Sequence, residues 1–81
     1  MEDKYKLLLF DLLGEAKEKA TNSKCRLNSG QFLDHENKDY LEGYLFALYD
    51  ILSIAKDQAE IFDIPLNEIN LHDLDPDKDL L

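Results

Sequence analysis

Between residues 36 and 62, apolar side chains recur at helical spacing around most of a circumference, and that breadth limits the folds open to this chain more than any other feature. Leu41, Tyr44, Leu45, Leu48, Ile51, Leu52, Ala55, Ala59 and Phe62 make one wide face. Tyr40, Phe46, Ala47, Tyr49, Ile54 and Ile61 carry it further around. Steps of three and four residues predict a long α-helix here. One neighbouring helix covers only one side of such an element. The remainder asks for a second subunit, another protein, or the C-terminal segment folded back over it.

A first helix is predicted over residues 4–20, where Tyr5, Leu8, Leu9, Leu12, Leu13, Ala16 and Ala20 lay down one apolar stripe, with Leu7 and Phe10 widening it. Gly14 costs about 1 kcal/mol relative to Ala, but the period runs through it. Periodicity fails from Thr21 to about Leu33, and Asn28-Ser29-Gly30 is a turn signal. Asp34 and Asn37 are both candidate caps for the long helix. Ile64-Pro65 ends it, because the residue before proline is disfavoured in helical conformation. Leu66, Ile69, Leu71 and Leu74 fit either a short extra turn or an extended strip packed on the pair. From Asp75 the composition becomes a charged tail. The expected fold is all-α: a two-helix antiparallel hairpin with a short C-terminal segment, residues 1–74 forming one domain and 75–81 a flexible acidic tail. With 81 residues the core is small, so assembly into a helical dimer is expected as well.

Charge separates the two halves. Residues 1–40 carry eight acids and seven Lys/Arg, whereas residues 41–81 carry ten acids against Lys56 and Lys78 alone. A field of that sign disfavours direct contact with nucleic acid or anionic lipid and favours a basic protein surface. Within the long helix, Asp39, Glu42, Asp50, Asp57 and Glu60 form a row about 30 Å long. The row reads either as the wet face of an ordinary helix or as a line of charge that approximates a phosphate backbone to a nucleic-acid-binding protein. Scarcity of interspersed lysine favours the second reading, because plain solubility mixes signs. Tyr44 and Tyr49 lie among these acids, and tyrosine suits a boundary where the ring is buried and the hydroxyl stays wet. Lys17, Lys19, Lys24 and Arg26 lie near one another in sequence, opposed by Glu15 and Glu18, and offer a second copy a route to the acidic helix.

No constellation points to catalysis, a metal or a cofactor. Asp73, Asp75, Asp77 and Asp79 copy the first spacings of a calcium loop, but Lys78 stands where that loop needs glycine, and no glutamate follows. Cys25, His35 and His72 lack the paired spacings of zinc sites, and although a Cys-His pair can meet in space, 81 residues of mostly amphipathic helix leave little room for a substrate cavity and oxyanion site. Cys25 is also the only cysteine, which fits a reducing compartment. Apolar runs such as Leu7–Phe10 are too short to span a membrane, and Met1-Glu2-Asp3 does not open a secretory leader, so a cytoplasmic location is expected.

These features support a non-enzymatic, acidic protein-binding module, an inhibitor seated on the basic surface of a nucleic-acid-handling protein. Its expected contact residues are Asp39, Glu42, Tyr44, Tyr49, Asp50, Asp57 and Glu60. The rival expectation is a structural or regulatory helical subunit that works through homo-oligomerisation.

Overall fold

Helix α1 runs from Asp3 to Ser29 in the computed structural model, which describes residues 3–81. It continues well beyond the predicted end near residue 20. Leu9, Leu13, Ala16, Ala20, Ser23 and Leu27 line its inner face at alternating steps of four and three. Ser23 keeps the period going with a polar side chain, which hid the continuation from a hydrophobic count. That hydroxyl is buried but donates to the Lys19 carbonyl at 2.8 Å, so the site costs no unpaired group. Thr21 likewise bonds back to the Lys17 carbonyl.

Gly30 ends α1 with φ +71°, and the Gln31 amide donates to the Arg26 carbonyl at 3.0 Å, a glycine C-terminal cap. The connecting loop is fastened by Arg26, whose guanidinium meets both carboxylate oxygens of Glu36, the second at 3.2 Å. Glu36 also accepts from the Leu33 amide, and its side chain is only 6% exposed. These bonds hold the Glu36 carboxyl below the ordinary range, the Arg26 contact contributing most.

Asn37, one of the two predicted caps, starts α2 (Lys38–Ile61) by accepting from the Tyr40 amide at 2.8 Å. The helix closes through Asp63, whose φ is +58°, with the Ile64 amide reaching the Ala59 carbonyl at 2.8 Å. The two long helices lie antiparallel.

Downstream of Pro65 the chain forms a one-turn 3-10 helix, Leu66–Ile69, and then α3, Pro76–Leu80. Together they strap one flank of the hairpin, with Ile69, Leu71, Leu74 and Leu80 buried in the same cluster as Leu13, Ala20, Leu45, Leu52 and Ala59. Each fully buried leucine contributes about 1.5–3 kcal/mol of transfer free energy. Asn70 takes a left-handed conformation, and its side chain approaches the backbone of Gly14 closely enough that a Cβ there would lie 2.6 Å from its Nδ2.

Two expectations change in shape. Residues 75–81, read as a flexible acidic tail, include a capped helical turn: Pro76 fixes its first turn, Asp75 accepts from the Lys78 amide, and Leu80 is 1% exposed. Tyr5, Leu8 and Leu12, read as part of the inner stripe, are more than half exposed. The apolar stripe of α1 is wider than the contact it makes.

Candidate protein-binding surface

The strap divides the hairpin into a covered flank and an open one, and the lysines go to the covered flank. Lys6 pairs with Glu68 at 3.0 Å. Lys17 donates to the Asn70 carbonyl, to Asn70 Oδ1 and to Asp73 Oδ1, at 2.8, 3.0 and 2.8 Å. Lys24 donates to the Leu81 carbonyl and Lys56 to the Leu74 carbonyl, at 2.9 and 2.8 Å. The Lys17 bond holds the Asp73 carboxyl below its ordinary value. Basic stems from α1 and α2 thus fasten an acidic C-terminal segment. The route proposed from sequence for Lys17, Lys24 and Arg26, toward another copy, is occupied within the chain itself.

On the opposite flank no helix or strap among the described residues lies over the pair, and the connecting loop reaches it at Tyr40, whose ring meets that of His35 edge-on. Along α2, Tyr40, Tyr44, Ala47, Ile51, Ile54, Gln58 and Ile61 alternate steps of four and three, and every one of them is exposed. Tyr5, Leu8 and Leu12 lie on the matching side of α1, away from Lys6, Lys17 and Lys24. Leu8 is 63% exposed, Leu12 60% and Ile51 52%. Tyr44 borders the groove between the helices together with Glu15, Glu18, Lys19 and Arg26.

Carboxylates edge this apolar strip. The helical repeat puts Asp39, Asp50 and Asp57 along the crest of α2, and Asp11, Glu15 and Glu18 along the crest of α1. All six are exposed, and the ion pairs among the described residues involve none of them. The crests also face the strap: Asp57 borders the cleft beside Asp75 and Asp77, and Asp11, Glu15 and Glu18 border the cleft beside Asn70, Asp73 and Asp79. Lys19 and Lys4 are the cations of this side without a carboxylate partner, and Lys4 lies 5.4 Å from the Tyr5 ring.

The predicted contact residues do not fall in one place. Asp39, Asp50 and Asp57 share the α2 crest. Glu42 and Glu60 are exposed nearer the strap, Glu42 with Lys38 at 3.8 Å. Tyr44 faces the open groove, whereas Tyr49 stands on the covered flank, where its hydroxyl donates to Asp77 of α3. That bond to a carboxylate raises the Tyr49 phenol above its ordinary value. Leu8, Leu12 and Glu15, not among the contact residues expected from sequence, belong to the open flank. Their signal was the excess width of the α1 stripe.

Among the described residues no group of His, Cys, Asp and Glu is placed to hold a metal ion, and no helix is long and apolar enough to cross a membrane. Comparison with known proteins finds no matching family, curated protein or solved structure. Function has therefore to be argued from the surface itself.

Proposed function

We propose that this chain is an acidic protein-binding module that occupies a basic surface on another protein, of the kind nucleic-acid-handling proteins present, and inhibits by occupying it. The observation that carries this reading is the partition of charge. Four lysines are spent fastening the strap, while the carboxylates of both helix crests stay unpaired beside exposed apolar side chains. Asp39, Asp50 and Asp57 steer the encounter, and Tyr44, Ile51 and their neighbours supply the desolvated anchor. Nothing in this role requires catalysis.

The test is association kinetics with the partner recovered from the native cell, measured at several salt concentrations. Replacing Asp39, Asp50 and Asp57 by Asn should slow association by about tenfold or more at low salt and flatten its ionic-strength dependence, with dissociation little changed. An unchanged association rate removes the steering role.

Exposed leucine and isoleucine also favour a second reading, in which two copies bury the open flank against each other. Salt separates the two. Screening weakens a complex between opposite charges and strengthens one between two chains that each carry a formal charge of −9.

A further inference from the structure

We infer that the open flank receives an amphipathic helix of the partner protein, apolar along the ridge that enters between α1 and α2 and rich in Lys/Arg along both of its borders. This inference rests on the reading above and specifies the element that docks. Its first support is periodicity. Tyr40, Tyr44, Ala47, Ile51, Ile54 and Ile61 repeat at the spacing of a coiled-coil seam, and a helix is the element whose side chains match that repeat along its whole length. The seam runs about 30 Å, the length of a helix of about 20 residues.

Area is the second support. At about 200 Å² per large side chain, the exposed fractions of Tyr5, Leu8, Leu12, Tyr44, Ile51, Ile54, Ile61 and Phe62 amount to about 900 Å², comparable with the roughly 800 Å² one partner buries in an ordinary specific interface.

Charge supplies the third support, and the molecule states the rule on its other side. The covered flank is bordered by Lys6, Lys17, Lys24 and Lys56, and the segment that fills it is acidic, carrying Glu68 and Asp73. The open groove beside Tyr44 is bordered by Glu15 and Glu18 on one helix, with Lys19 and with Arg26 that Glu36 pairs, and Asp39 and Asp50 lie along the exposed crest of the other, so its complement is basic. A second copy is the poorer occupant. Stacking two open flanks sets carboxylate borders against carboxylate borders, with Lys4 and Lys19 the cations on that side, among the described residues, that no carboxylate pairs.

The experiment uses the full chain, isotope-labelled for NMR, and three synthetic helices of about 21 residues. The first has leucine at seam positions and Lys/Arg at the flanking ones, the second has the same composition scrambled, and the third carries Glu in place of Lys/Arg. The first should shift the amides of Leu8, Leu12, Ile51 and Ile54 saturably and bind at least about tenfold more tightly than either control. The double variant Ile51→Asp, Ile54→Asp, whose far-UV dichroism should be unchanged because both positions are exposed, should lose that preference. Equal binding of the scrambled peptide, shifts confined to the strap, or a dimer of the free chain that Ile51→Asp abolishes would each overturn the inference. Lysozyme, a folded basic protein, serves as the separating probe. If no helix binds but lysozyme does so in a salt-sensitive way, docking by a helix falls and the acidic-module reading stands. If neither binds, both fall.

Discussion

Truncating Leu71 to alanine tests whether the C-terminal strap is part of one cooperative fold. Leu71 is fully buried in the cluster that also holds Leu13 and Leu52, and its amide donates to the Leu66 carbonyl at 3.0 Å. A buried Leu→Ala change costs about 2–5 kcal/mol, from lost transfer free energy plus the cavity left behind. A domain of this size has on the order of 4–12 kcal/mol of stability in total. Taking about 3 kcal/mol for Leu71→Ala, and about 4–8 °C for each kcal/mol, the melting temperature should fall by about 12–24 °C. Leu8→Ala is the internal control. The side chain is 63% exposed, so its loss should cost less than about 0.5 kcal/mol, part of which alanine's helix propensity returns. Urea unfolding, followed by far-UV dichroism and by the four tyrosines in a chain without tryptophan, measures both variants. Equal destabilisation by the two changes, or a loss below about 1 kcal/mol for Leu71→Ala, would refute the division into covered and open flanks.

Three further outcomes are expected. Arg26 lowers the Glu36 carboxyl and Lys17 lowers that of Asp73, so the stability each contributes is complete above the ordinary values of 4.5 and 3.8 and is lost as pH falls through the lower folded values. Glu36→Gln should therefore flatten the acid limb of a plot of urea midpoint against pH, and an unaltered limb would show that the loop clasp is not coupled to folding. Gly14→Ala should stabilise α1 by about 1 kcal/mol only when Asn70 is also replaced by glycine, because in the native chain the new methyl displaces the Asn70 side chain that Lys17 holds; a double-mutant cycle in urea reads the coupling. In hydrogen exchange, the Asp79 amide, which donates to the Asp75 carbonyl at 2.7 Å, should be protected in the native chain and lose that protection in Leu80→Ala while Leu45–Leu52 keep theirs; an unprotected Asp79 in the native chain would mean that α3 is undocked.

The long helix and its end before Pro65 were legible because they rest on local rules, periodicity and the steric restriction on the residue before proline, whereas the choice of Asn37 over Asp34 as its cap came only with the fold. The continuation of α1 to Ser29 was not legible, because Ser23 fills an inward position with a hydroxyl that only the folded helix shows to be satisfied. The turn of α3 was hidden for a related reason. Asp75-Pro76 is a sound helix start, yet the acids around it read as solvated chain until Leu80 has a groove to enter. Of the acidic row read along α2, Asp39, Asp50 and Asp57 share one crest, whereas Glu42 and Glu60 lie nearer a strap whose path the helical repeat does not give. Nor could the outward-facing tyrosine be chosen, since Tyr44 and Tyr49 are equivalent in sequence terms and are separated by the path of a strap that depends on distant lysines.

The open flank is proposed to receive a basic partner. Sedimentation equilibrium tests this most directly, with the chain run alone and with the recovered partner at about 50 mM and about 500 mM salt. The expected result is a free chain that stays monomeric at both and a complex that weakens markedly at the higher. A chain that self-associates more strongly as salt rises, beside a partner complex that salt leaves unchanged, would contradict it.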